Sequence, residues 1–329
     1  MQQKQLLYTI LYKKGPKFVS KGEKIKCKKK VFLQFWVSCW WWWRCRYWFR
    51  FVVLCCNHEK TSQILITKSN PQKARGERAF LVGRQAVCVV NCGVHLKIQC
   101  EYIGTKFAGF QTQKGQRTVQ EELEKAISHY FAVPVKVVGS GRTDAGVHAV
   151  GQVVSCLCPR DDVKIYQFLL GVNSYLPADI SLTAAELLPK FNARSDAKAK
   201  TYIYKCYISP TRHPARDVDY YQLYKPVDVE HLRTQAAKLV GTHDFTAFCA
   251  ELRDKSPVRT IYSLDVQTPV PDEIWFVVRG NGFLHNMVRI IVGTLLDGRD
   301  VASVLASRDR RCAGKTAPAK GLTLFSVEY

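Results

Sequence analysis

From His95 onward, apolar residues recur first at every second position and then at every third or fourth. Any fold for this chain must accommodate that alternation of periods. The segment HLKIQCEYI puts Leu96, Ile98, Cys100 and Tyr102 on one side of a half-buried strand. After the glycine-punctuated loop GTKFAGFQTQKGQ, the run RTVQEELEKAISHYFA sets Val119, Leu123, Ala126, Ile127 and Tyr130 along one stripe of an amphipathic helix. Thr118 is the expected N-cap of that helix, with Glu121 three residues on to complete a capping box. Pro134 to Val138 then reads as a strand, GSGRTDAGVHAV as a loop and GQVVSCLC as another strand. VKIYQFLLGVNSYL reads as a helix closed by Pro177.

A second unit of similar order follows a linker around Phe191 to Lys200. It has the strand TYIYKCYI, the helix VEHLRTQAAKLV ended by Gly241, strands near Thr260 to Val266 and Ile274 to Val278, and the helix LHNMVRIIVGTLL. LTLFSVEY would add a closing strand. The expected class is therefore α+β: two similar subdomains with mostly antiparallel sheets, helices on one face and a cleft between them as the natural ligand site. We place the subdomains at residues 95–195 and 196–329.

Composition separates residues 1–94 from this pattern. The 329-residue chain is 47% apolar, enough for a substantial core, and carries a formal charge of +22. Nineteen Lys or Arg against Glu23, Glu59 and Glu77 put +16 of that charge before residue 95, leaving +6 for the rest. Seven of 13 Cys and six of seven Trp also fall there. Val31 to Cys56 is long and apolar enough to suggest a membrane span, but Arg44, Arg46 and Arg50 interrupt it, so membrane association is not expected. The same arginines, the distance from Met1 and the lack of a small-residue cleavage site argue against a signal peptide. Cys88, Cys92, His95 and Cys100 match no zinc spacing. Met1 and Met287 are the only methionines. An extension arising from where the reading frame was opened would thus need a non-AUG start near Val94. The sequence does not reveal a role for it. The six later cysteines are scattered without an extracellular pattern, which fits reduced thiols in the cytoplasm.

Chemistry concentrates in GSGRTDAGVHAVGQ, residues 139–152, where glycines frame Arg142, Asp144 and His148. The segment is neither a P-loop, having no Gly-Lys-Ser/Thr, nor GxGxxG. It presents a carboxylate on a loop between strands, two residues after an arginine that could keep it ionised, although Asp in a Gly-rich loop also serves as turn chemistry. Arg289 is the second anomaly, set in the apolar run MVRIIVG and in need of a carboxylate partner. His285, four residues earlier, would share its helix face, and reads equally as a cap or core histidine. The third is AKAKTYIYKCYI, where Tyr202 and Tyr204 share a strand face beside Lys198 and Lys200. Such interleaving suits a stacked base and a phosphate, and also suits ordinary core packing.

Taken together, YIGTKFAGFQ, TVQEELEKAI, GRTDAGVHAVGQV, FNARSDAKAKTYIYKCYI, HDFTAFCA, SPVRTI and NGFLHNMVRIIVGTLL resemble the TruA family of tRNA pseudouridine synthases, in the family's order and over about residues 95–329. That resemblance implies the pseudouridine synthase fold and isomerisation of uridine to pseudouridine in the tRNA anticodon stem-loop, at positions 38 to 40, on a target base taken out of its stack. It implies Asp144 as the essential carboxylate, Arg142 in the same catalytic loop, Tyr202 stacked on the uracil and Arg289 paired with Asp144. Lys198, Lys200, His148 and His285 are implied in substrate binding. No cofactor or metal is required, and a homodimer in which one tRNA contacts both subunits is expected. Two positions depart from the family: Ile103, where an acid is usual, and Phe110, where Trp is usual. Basic residues available for RNA include Lys106, Lys114, Arg117, Lys198, Lys200, Arg212 and Arg216. A non-catalytic RNA-binding protein is the competing reading, and retention of Asp144, Arg142, Tyr202 and Arg289 argues against it. An aspartic hydrolase would need two matched carboxylates, and a single such loop is visible.

Overall fold

The computed structural model describes residues 93–160, 162–252 and 256–329, together with the backbone of three short strands before them. The chain divides into two compact units, Met1–Val87 and Cys88–Tyr329. In the first, β1 (Lys26–Cys27) and β2 (Arg50–Leu54) flank β3 (Ser62–Lys68) in an antiparallel sheet. The tryptophan run, and Cys88 and Cys92 of the cysteine-histidine set, lie outside the described residues.

The second unit opens with β4 (His95–Tyr102), α1 (Val119–Phe131), β5 (Val138–Gly139), β6 (His148–Leu157), α2 (Ile165–Asn173) and β7 (Ile180–Leu188). It continues with β8 (Ala199–Ile208), β9 (Tyr221–Leu223), α3 (Val229–Ala237), β10 (Gly241–Asp244), β11 (Val258–Gln267) and β12 (Glu273–Gly280). The helices α4 (Met287–Leu296) and α5 (Val301–Ser307) precede β13 (Leu322–Glu328). Eight strands run edge to edge in the order β10-β11-β12-β8-β13-β6-β4-β7, with β5 on β6 and β9 on β8. Pairing is antiparallel except for β13 on β6 and β9 on β8.

The expected mixed, mostly antiparallel α+β class is present, and the strands of its two halves join in one sheet through β13. The last strand is therefore internal. Thr323 and Leu324 pair with His148 and Ala149 on one side, while Leu322 to Leu324 pair with Tyr204 to Tyr202 on the other. This register sets the strand that follows the Asp144 loop two places from the strand that carries Tyr202. Helices α2, α3 and α4 pack on β7, β11 and β8. One continuous apolar core runs from Leu96, Ile98, Leu123, Ile127 and Phe168 to Tyr204, Phe276, Ile290 and Ile291. A small satellite of Val153, Phe191 and Ala193 sits beneath Tyr329.

Several local expectations need correction. The capping box at α1 does not form: Thr118 makes no side-chain cap and its hydroxyl is buried without a partner, while Glu121 pairs with Lys125. The first-turn amides of Val119 and Gln120 instead donate to the carbonyls of Gly109 and Phe110, so the preceding loop does the capping. Pro134 to Val137 is not strand, because α1 side chains take its amides: Val135 donates to Ser128 and Val137 to Glu124. α3 stops at Ala237 rather than running to Gly241, which begins β10. α4 begins only at Met287, since Asn286 is left-handed (φ 58°). The strands β7, β9 and β10 and the helix α5 were not foreseen. No helix among the described residues is long and apolar enough to cross a membrane.

Candidate active site

The loop between β5 and β6 is fastened at nearly every residue. Ser140 receives Lys200 Nζ on its carbonyl (2.7 Å) and donates its own amide to Val153 (2.8 Å) and its hydroxyl to Gln152 Oε1 (2.7 Å). Fully buried Gln152 returns Nε2 to the Gly141 carbonyl (3.1 Å). Thr143 shares a 2.8 Å hydroxyl bond with Tyr102 and accepts the Phe110 amide on its carbonyl. A tight turn follows in which Val147 donates to the Asp144 carbonyl (3.1 Å). Its third residue, Gly146, has φ +77°, a conformation that side chains disfavour. With its backbone held on both sides, the loop presents the Asp144 carboxylate toward His285 and Arg289, leaving it 34% exposed.

The opposite wall comes from the segment before α4 and from its first turn. His285 Nε2 lies 3.7 Å from Asp144 Oδ1, and Arg289 Nη1 lies 4.0 Å from Asp144 Oδ2. Neither is short enough for a hydrogen bond. Arg289 is oriented by other groups: its Nε donates to the Ala317 carbonyl (2.7 Å) and its Nη1 to Asn286 Oδ1 (2.7 Å). The segment carrying Ala317 reaches it because residue 293 is Gly. A Cβ there would stand 1.7 Å from the Lys315 carbonyl. Burial lowers the Arg289 pKa and the Asp144 charge opposes that shift. His285 is not on the helix, as its spacing suggested, and its Nδ1 lies 3.9 Å from Glu251 Oε2. Tyr202 lies edge-on to Phe283 (5.2 Å, 87°) and is 8% exposed. Burial raises its pKa first, and the Asp144 charge adds to that.

The structure thus brings together Asp144, His285, Arg289 and Tyr202. It does not bring in Arg142, which is exposed and makes no ion pair with Asp144 among the described residues, so the groups that face that carboxylate are Arg289 and His285. His148 is buried within the fold, its Nδ1 accepting the Gly104 amide (3.1 Å), and burial lowers its pKa. Lys200 is drawn inward to the loop, where burial, with the Arg194 charge adding to it, lowers its pKa to about 8. Lys198 stays exposed. Of the other basic residues, Arg117 is paired with Asp179 and Glu122, and Arg216 with Asp272 and Glu273. Those two cations are already compensated. The departures from the family sit around the first loop: Ile103 is 49% exposed, and the Phe110 ring fills the space over Gly139. Sequence reasoning missed Gln152, Phe283, Asn286 and Glu251. A glutamine inside the strand run HAVGQVV was the one available signal.

A family model described as tRNA pseudouridine synthase matches residues 99–195 and 235–329. The chain belongs to the tRNA pseudouridine synthase family. It is 42% identical over 243 residues to tRNA pseudouridine synthase A of Brevibacillus brevis, covering 71% of this chain and 99% of that one. It is 43% identical over 252 residues to the protein of the same name from Bacillus subtilis, covering 72% and 99%. A third such relative, from Shouchella clausii, is 45% identical over 240 residues, covering 69% and 90%. Pseudouridine synthases of this family are isomerases that convert uridine to pseudouridine. Arg142, Asp144, His148, His285 and Arg289 fall inside the matched stretches, while Lys198, Lys200 and Tyr202 lie between them.

Proposed function

We propose that this chain isomerises uridine to pseudouridine in the anticodon stem-loop of tRNA, at positions 38 to 40, on a base that leaves its stack to reach the cleft. The observation that carries the reading is the accessible Asp144 carboxylate, 3.7 Å from His285 and 4.0 Å from Arg289, in a chain of this family. Asp144 is the catalytic carboxylate. Arg289 holds a positive charge beside it without quenching it in a short hydrogen bond, so the carboxylate keeps an oxygen free for the nucleoside. Attack on the sugar and removal of a sugar proton both begin from that charge state. Breaking the C1′–N1 bond frees the uracil, which must turn and rejoin through C5 without leaving. Tyr202 and its neighbour Phe283 supply the apolar wall that retains it. Arg142 and Lys198, both exposed, would contact phosphates of the RNA. The protein works as a cytoplasmic homodimer, needing neither metal nor cofactor.

The test is pseudouridine formation in unmodified tRNA by the full chain and by Asp144→Asn, with tRNA binding measured alongside. The unchanged protein should convert anticodon-arm uridines, and the variant should bind tRNA and convert none. If the unchanged protein binds without converting, it is a binding protein. If Asp144→Asn converts as well as its parent, another group starts the reaction.

A further inference from the structure

We propose that His285 is the base that removes the proton from C5 of the turned uracil, held for that step between Asp144 and Glu251. The inference rests on the reading that Asp144 starts the isomerisation. It follows from where the second half of that reaction must occur. Cleavage leaves the C1′–N1 bonding pair on N1. When C5 bonds to C1′, the C5=C6 pair forms the new bond and the N1 pair moves into an N1=C6 bond. The pair that C1′ gives up returns to Asp144 or, where a sugar proton was removed, takes that proton back, and C5 carries both the sugar and its hydrogen. Loss of that proton to Nε2 returns the C5–H pair to the C5=C6 bond. The N1=C6 pair then passes back to N1, which takes a proton from water, and the imidazolium releases its own to solvent. The proton leaves an atom directly bonded to C1′, so its acceptor must stand within a few ångströms of whatever group acts on the sugar.

The groups around Asp144 narrow the choice. Tyr202 keeps its phenolic proton, because burial and the Asp144 charge both raise its pKa. Arg289 is a guanidinium with its Nε and Nη1 already donating to Ala317 and Asn286. Lys200 is engaged on the far side of the loop at the Ser140 carbonyl. His285 remains, with Nε2 3.7 Å from Asp144 Oδ1, Nδ1 3.9 Å from Glu251 Oε2 and a side chain 37% exposed. Imidazole is the side chain suited to taking and releasing a proton near neutrality. The Ala250 amide, donating to the His285 carbonyl (3.1 Å), fixes the backbone from which the ring projects. Asp144 itself is the competing acceptor.

The experiment uses the full chain and tRNA carrying uridine or [5-²H]uridine. His285→Asn should slow turnover about 10²-fold, the ordinary contribution of a positioned base, while leaving tRNA binding in place. The slowed reaction should show a primary isotope effect larger than that of the unchanged protein, because removal of H5 now limits it. His285→Ala should be slow in the same way and recover with added imidazole. A rate loss with no added isotope effect and no rescue would make His285 a shaping residue and overturn the proposal. Unimpaired turnover in both variants would give the step to Asp144. Failure of the underlying reading is separately visible, since the unchanged protein would then form no pseudouridine.

Discussion

At the residue scale the loop around Asp144 is held partly by a half-buried lysine. Lys200 donates to the Ser140 carbonyl, and its pKa falls from the usual 10.5 to about 8 because it is desolvated. Below about pH 8 folded and unfolded chains both carry that proton, and the folded chain bears the cost of the desolvated charge. Between about 8 and 10.5 the unfolded chain holds more protons, so this group contributes stability that rises with pH. Urea unfolding of the unchanged protein and of Lys200→Met on either side of pH 8 should show the difference between them growing in favour of the unchanged protein at higher pH. A difference independent of pH would mean that the lysine is not desolvated. The sequence carried Asp144, Arg289 and His285 as anomalies because each is a polar group where the surrounding pattern is glycine-rich or apolar. Local spacing offered Arg142, two residues away along the chain, as the group that keeps Asp144 ionised, yet Arg142 is exposed, and Arg289, the partner that the family resemblance implied, lies 4.0 Å from the carboxylate. Proximity in sequence does not by itself make an ion pair.

At the element scale the strong periodic segments were legible and the short or edge segments were not. β4 and β8 bury alternating or near-continuous apolar residues, and α1 buries a clean stripe. β7 is an edge strand with most of its residues partly or fully exposed, β9 has three residues and α5 seven, so none of them carries enough apolar signal to stand out. Caps were read too literally. A Thr-x-x-Glu pattern normally marks a helix start, but the α1 amides are already satisfied by Gly109 and Phe110, which leaves the Thr118 hydroxyl buried and unpaired. Thr118→Val should therefore be at least as stable as the unchanged protein in thermal or denaturant unfolding, because a hydroxyl buried without a partner costs about 1–3 kcal/mol. A working cap would instead make the substitution cost about 1 kcal/mol.

At the scale of the whole molecule, the periodic reading of residues 95–329 suggests two sheets, and that stretch forms one. The difference is β13, whose position between β6 and β8 no hydrophobic pattern encodes, because pairing partners are chosen by long-range geometry rather than by local period. Leu324 is fully buried at that junction and pairs with Ala149 on one side and Tyr202 on the other. Leu324→Asp should cost several kcal/mol, on the order of an unpaired charge placed in a core. In hydrogen exchange the amides of β6 and β8 should lose protection together. Loss in one strand alone would mean that the two halves fold independently.

The same strand has a consequence for how the protein comes into being. Of the described strands β13 is the last to be synthesised, yet its neighbours β6 and β8 are made well before it. While the ribosome is still translating the intervening stretch, two long strands have edges that await a partner, the condition under which nascent chains pair wrongly with one another. Until β13 emerges, the strand after the Asp144 loop and the strand bearing Tyr202 have nothing to hold them in register. The site is completed only once β13 has emerged, and the chain depends on reaching that point before its waiting edges find another partner.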